Sequence, residues 1–168
     1  GRNFASTISI APFRDAATLG GHDVRGTTPQ YLQNACDVDL AVSQVGTVLT
    51  AEVAIDNSLT GHSLPTGVTV RNMILLVEAT RDSDGAALTH IGNQTIHDLG
   101  GVGLPSQGYY AGLPGKLFGK HNFDATGAGP TFYTEATGVL FDTRIPALTT
   151  DTTTYTFDVP AGTGAVSV

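Results

Sequence analysis

Tryptophan is absent from the 168 residues, and cysteine occurs once, at Cys36. A single thiol can form no disulfide within the chain, no CxxC knuckle for zinc and no CxxCH site for covalent haem attachment. Cys36 reads instead as a small apolar residue in a strand. Without tryptophan the chain lacks the usual aromatic platform of a carbohydrate-binding sandwich. Charge is sparse as well: Asp, Glu, Lys and Arg make up 14% of the residues, the eight Lys and Arg are scattered, and the net charge is −7. No basic cluster is available to neutralise phosphates, so nucleic acid is not an expected partner. No apolar run approaches the about eighteen residues that a membrane span needs, and the chain opens at Gly1 without a charged and apolar leader. HExxH, GxSxG, P-loop and GxGxxG patterns are all missing, and no enzymatic activity is expected.

What is present points to strands. Glycine (21 residues), threonine and alanine are abundant, and the hydrophobic fraction of 40% suffices for one domain spanning residues 1–168. Phe4–Phe13, with Ile8, Ile10 and Pro12, reads as an opening edge strand, followed by a glycine-rich loop over Thr18–Gly26. Thr28 and Pro29 suit the start of a short helical turn over Pro29–Ala35. Val38, Leu40 and Val42, then Leu49, Ala51, Val53 and Ile55, alternate at period two and predict an antiparallel hairpin over Cys36–Ser43 and Thr47–Asp56, with one buried face. Thr69–Thr80 is apolar on both faces at its centre and is expected to be a central strand. An Asp-Gly turn at Ser83–Gly85 leads to a strand over Ala87–Ile91. Residues 92–134 lose the pattern and carry isolated aromatics, which reads as a long irregular insertion that packs onto something. Strands resume at Gly138–Phe141, Thr152–Val159 and Ala165–Val168, and the run Thr149–Thr154 reads as solvated turn threonines. The expected fold is all-β, an antiparallel sandwich of about seven or eight strands.

Gly61, His62, Ser63, Leu64, Pro65, Thr66 and Gly67 place one histidine on a stiff loop between two strand-like runs. Such a loop presents an imidazole to a ligand, or merely lets it hydrogen-bond a carbonyl. His22, His90, His97 and His121 are the other histidines, and His90 and His97 lack the spacing of a zinc helix or finger. Asp82, Ser83, Asp84 and Gly85 begin like a Ca²⁺ loop but lack its terminal glutamate. Arg144 with Asp142 reads as an ion pair that pins a loop, or as a carboxylate-binding guanidinium, and Arg71 has the same two readings. Lys116 and Lys120 read as solvated.

The order of these pieces resembles the C-terminal β-sandwich domain of secreted multihaem c-type cytochromes. The matching segments are His22–Gly26, the Val38–Ile55 hairpin, Asn57–Gly67 with its GHxxPTG core, Arg71–Gly85, Pro114–Lys120 (PGKLFGK), Asp142–Pro146 (DTRIP) and Tyr155–Val159. The resemblance implies that His62 and His22 are axial ligands of a haem iron, with Asp23 and Asp56 as candidates to hold their second nitrogens. It implies that Arg144 or Arg71 contacts a haem propionate. The chain departs from the family in having no CxxCH, so haem c would be attached outside these residues, on a preceding segment or another chain. The implied role is an accessory domain of a periplasmic or extracellular multihaem cytochrome that takes part in electron transfer, as a fragment or module of a larger protein. A weak Ca²⁺ site at Asp82–Gly85 is a lesser expectation, from those residues alone. The competing reading is an extracellular structural or adhesive module that self-associates into a filament through an open sheet edge.

Overall fold

The structure, a computed structural model, describes residue 29 and residues 33–69, 71–101 and 104–168. The chain divides into two units, Gly1–Asn34 and Ala35–Val168. In the first, the Gln33 N–H donates to the Pro29 carbonyl at 2.9 Å, the bond of one helical turn where the sequence expects it. The opening strand Phe4–Phe13, the loop with His22 and Asp23, and Thr28 lie outside the described residues.

The second unit is all-β, as its composition and periodicity predict. Ten strands are described: β1 (Asp37–Val45), β2 (Val48–Asp56), β3 (Met73–Leu76), β4 (Thr80–Arg81), β5 (Thr89–His90), β6 (Gly115–Phe118), β7 (Lys120–Phe123), β8 (Gly138–Asp142), β9 (Thr150–Asp158) and β10 (Val166–Ser167). They form a four-stranded sheet in the order β1-β2-β9-β5 and three two-stranded ribbons, β10-β4, β3-β6 and β7-β8. Every described ladder between these strands is antiparallel.

β1 and β2 form the predicted hairpin, closed by a two-residue turn at Gly46 and Thr47 between the paired Val45 and Val48. Gly46 sits at φ +61°, a left-handed geometry that glycine adopts without strain and a tight hairpin requires. Leu49, Ala51, Val53 and Ile55 of β2 are buried, as their alternation predicts. The facing residues of β1 are not: Val38, Leu40 and Val42 are 60%, 46% and 49% exposed, because β1 is the outer strand of the sheet. β9 is an inner strand with β2, and lies between β2 and β5, where Tyr155 and Phe157 are buried. The threonines expected in a turn therefore run along a strand from Thr150 to Thr154, with their methyl-bearing β-branched side chains suited to it.

Met73–Leu76, the predicted centre of the domain, is instead a four-residue strand that is half-buried throughout and pairs only with β6. Its apolar character on both faces reflects position: Met73 and Leu75 pack against the main core, while Val77 and Ala79 beyond it enter that core. Residues 92–134 are rich in turns as expected, yet they contribute β6 and β7. Phe118 is fully buried in the main core, so this aromatic packs within the domain. Gly115 permits the ribbon: it sits at φ +152°, and a Cβ there would lie 2.1 Å from the Leu75 carbonyl oxygen. Lys116 is not simply solvated. Its ammonium pairs with Asp151 and lies 5.1 Å from the centre of the Phe118 ring. Cys36 is half-buried against the core just before β1, where burial, then the charge of Asp37, pushes its thiol pKa up.

Candidate functional site

Asn57 follows directly on β2 and is fully buried. Its backbone extends the ladder, with its N–H donating to the Thr149 carbonyl at 2.9 Å and its carbonyl accepting from the Leu148 N–H at 2.8 Å. Its side chain then turns the chain outward. Nδ2 donates to the carbonyl oxygens of His62, Ile145 and Pro146 at 2.8, 3.0 and 3.0 Å, and Oδ1 accepts from the Thr60 hydroxyl. Two amide hydrogens thus serve three carbonyls, one of them shared. The far end of the loop is held as well: Leu64 and Ile145 exchange backbone N–H···O bonds of 2.8 Å in each direction, and both side chains are buried. Between these anchors His62 is exposed.

The imidazole has a defined tautomer. His62 Nδ1 lies 3.1 Å from the Ser63 carbonyl oxygen. A carbonyl only accepts, so in the neutral ring Nδ1 carries the hydrogen and Nε2 keeps its lone pair. Nε2 has no partner among the described residues. This is the state in which a histidine ligates a metal through Nε2. The orienting group is the neighbouring carbonyl and not Asp56, whose carboxylate accepts from the Thr150 hydroxyl at 2.8 Å. Hydrogen bonds from Ser58 and Thr150 hold the Asp56 pKa down. Asp23, the other candidate, and His22 lie outside the described residues.

The two arginines differ. Arg144 grips Asp142 with two bonds, from Nε to Oδ1 at 2.8 Å and from Nη2 to Oδ2 at 2.6 Å. Those bonds are the main reason that the Asp142 pKa is lowered and the Arg144 pKa raised. Because Arg144 precedes Ile145, the Leu64–Ile145 bridge brings the segments bearing His62 and Arg144 together. Arg71 is exposed, and its guanidinium has no partner among the described residues. The acidic turn is fully engaged: Asp84 accepts from Arg81 at 2.9 Å and from the Ala86 N–H at 3.1 Å, and Asp82 from the Ser167 hydroxyl at 2.7 Å. No cluster of three or more His, Cys, Asp or Glu able to hold a metal ion occurs among the described residues.

A second group of histidines surrounds Phe141. His97 and His121 lie 5.0 and 4.8 Å from it, ring centre to ring centre. His97 is exposed beside a cleft of about 450 Å³ lined also by Leu117, Leu140, Phe141 and Thr143. Its Nδ1 accepts the Leu99 N–H at 3.1 Å, which places the hydrogen of the neutral ring on Nε2, the reverse of His62. His121 is buried; Nε2 bonds Asn72 Oδ1 at 2.9 Å, whereas Nδ1 is buried without a partner. Burial, then the proximity of His97, lowers the His121 pKa. His90 packs at 5.3 Å on Phe157, and burial lowers its pKa. No spacing along the chain announces the His97–Phe141–His121 cluster, because it forms from the β7–β8 ribbon and a 3₁₀ turn. The one local signal is the aromatic alternation around His121 in β7.

No protein-family model matches the chain, and neither does any curated protein. Among solved structures, the chain is similar to a penta-haem cytochrome c552 from Thermochromatium tepidum, with a TM-score of 0.52 and 24% identity over 77% of this chain. The match spans 29% of the length of that cytochrome. The likeness is one of fold, shared with part of a longer protein.

Proposed function

We propose that this chain is an accessory β domain of a multihaem c-type cytochrome and supplies His62 as an axial ligand to a haem attached elsewhere. The observation that carries the reading is the bond from His62 Nδ1 to the Ser63 carbonyl, which leaves a bare, exposed Nε2 on a loop fixed at both ends. The fold shared with part of a penta-haem cytochrome supports it. Haem bound there would supply one-electron redox chemistry. The chain's own part is to hold one imidazole, in one tautomer, at low reorganisation cost. Cys36 alone offers no pair of thioether bonds, so the haem would belong to another segment or chain. His97, capped through Nδ1, would have to break that bond before its Nε2 could ligate. The domain would work in electron transfer outside the cytoplasm, in the periplasm or beyond, without bond-making catalysis. Arg71, with an uncommitted guanidinium, suits a propionate better than Arg144, which is already paired with Asp142.

The test is an optical titration of the chain with a haem c peptide that carries one proximal histidine. Conversion of the ferric peptide from a high-spin to a low-spin spectrum is expected with the wild-type chain and with His97→Ala, and is lost with His62→Ala. Equal conversion by His62→Ala would sink the assignment. The structural-module reading is favoured by one observation of its own: among the described residues the outer strand β1 pairs with β2 alone, and all nine of its residues are exposed.

A further inference from the structure

Among the described residues β1 is paired on one side only, and all nine of its residues are exposed. The two-residue turn makes Val45 and Val48 the closing hydrogen-bonded pair, so Ser43, Ala41, Asp39 and Asp37 also direct their backbone groups at β2. The N–H and C=O groups of Val38, Leu40, Val42 and Gln44 therefore point away from the sheet. The side chains of Val38, Leu40 and Val42 stand opposite Ile55, Val53 and Ala51, on the core face, yet nothing among the described residues covers them. A groove of about 210 Å³ continues that apolar strip past Leu75, Val77 and Val168. Of the usual protections of a sheet edge β1 has only the charges of Asp37 and Asp39 at its start, and it contains no lysine, proline or bulge.

We propose that β1 pairs antiparallel with β1 of a second copy of this chain, about a twofold axis through Ala41. The outward-facing groups are those of even-numbered residues, so only registers that match even with even can form a ladder. The register that overlaps all nine residues sets Leu40 against Val42, Val38 against Gln44, Asp39 against Ser43 and Asp37 against Val45, each across the axis. No two carboxylates meet in it. Moving the axis to Asp39 would set that carboxylate against its own copy, a destabilising like-charge pair, and would shorten the ladder. In the favoured register Val38, Leu40 and Val42 of both copies share one face, and the two four-stranded sheets become one continuous sheet. The pairing is independent of haem ligation and is tested without haem.

Sedimentation velocity of the whole chain at about 100 µM is expected to show a concentration-dependent dimer. Val42→Pro removes only an outward N–H, so the β1–β2 ladder survives and the dimer fraction falls at least about tenfold. A circular dichroism spectrum like that of wild type confirms that this variant folds. The register is read by cross-linking: Cys36→Ala with Ala41→Cys oxidises to a disulfide-linked dimer, because opposed non-hydrogen-bonded residues lie about 4.5 Å apart at Cα. Cys36→Ala with Asp39→Cys does not. A monomeric wild type, including one whose edge is covered by another part of its own chain or by a different protein, overturns the proposal. So does a dimer that Val42→Pro leaves intact, or one that Ala41→Cys fails to link.

Discussion

The amide of Asn57, fully buried, donates at 2.8 Å to the carbonyl of His62, which is exposed. Rigidity built in the core is thereby transmitted to His62, whose Nε2 keeps its lone pair and has no partner among the described residues. Asn57→Ala leaves the carbonyls of Ile145, Pro146 and His62 without their shared donor. A loss of about 2 to 4 kcal/mol is expected in urea unfolding. An effect within experimental error would mean that the loop is held by the Leu64–Ile145 bridge alone.

Phe118 tests whether the turn-rich segment belongs to the core. Phe118→Ala empties a fully buried site and is expected to cost about 3 to 5 kcal/mol, measured by the shift of the unfolding midpoint. An insertion that merely decorated the domain would lose little.

The contrast between these two residues shows what the chain reveals before it folds. Leu49–Ile55 and Tyr155–Val159 were legible because each strand has one buried and one wet face, and alternation records that directly. The buried faces of β6 and β7 were not legible, since four-residue ribbons bounded by glycine and proline are too short for a period to emerge. β1 misled in the opposite sense: its alternation marks the core face of a sheet but cannot say whether that face is covered. At the site, the loop and its histidine stood out through glycine and proline. The tautomer could not, because it depends on how the folded backbone turns the Ser63 carbonyl toward Nδ1, in a loop that Asn57 ties to Ile145 and Pro146, about ninety positions away.

Acid sensitivity should begin with histidines. Burial lowers the folded-state pKa of both His121 and His90. Their contribution to stability is complete above the ordinary value of about 6.5 and is lost as pH falls through it toward the depressed folded values. Urea unfolding between pH 7.5 and pH 5.5 is expected to show falling stability, with a shallower slope in His90→Phe and in His121→Gln. Parallel slopes in all three proteins would contradict this.

Arg144 and Asp142 form a well-aligned pair, but their side chains remain 29% and 36% exposed. Arg144→Ala should therefore cost less than about 1 kcal/mol. Its clearer effect is on Asp142, whose lowered pKa depends first on the Arg144 hydrogen bond and should rise toward the usual carboxylate range in an NMR titration. An unchanged Asp142 titration would assign the shift to other neighbours.

Ligation of haem iron by His62 is read most directly by electron paramagnetic resonance of the ferric haem c peptide mixed with the chain. Wild type and His97→Ala are expected to give the low-spin signal of an iron with two imidazole ligands, and His62→Ala to leave the peptide's own high-spin signal. A low-spin signal that persists in His62→Ala, or one that never forms with wild type, would contradict the account.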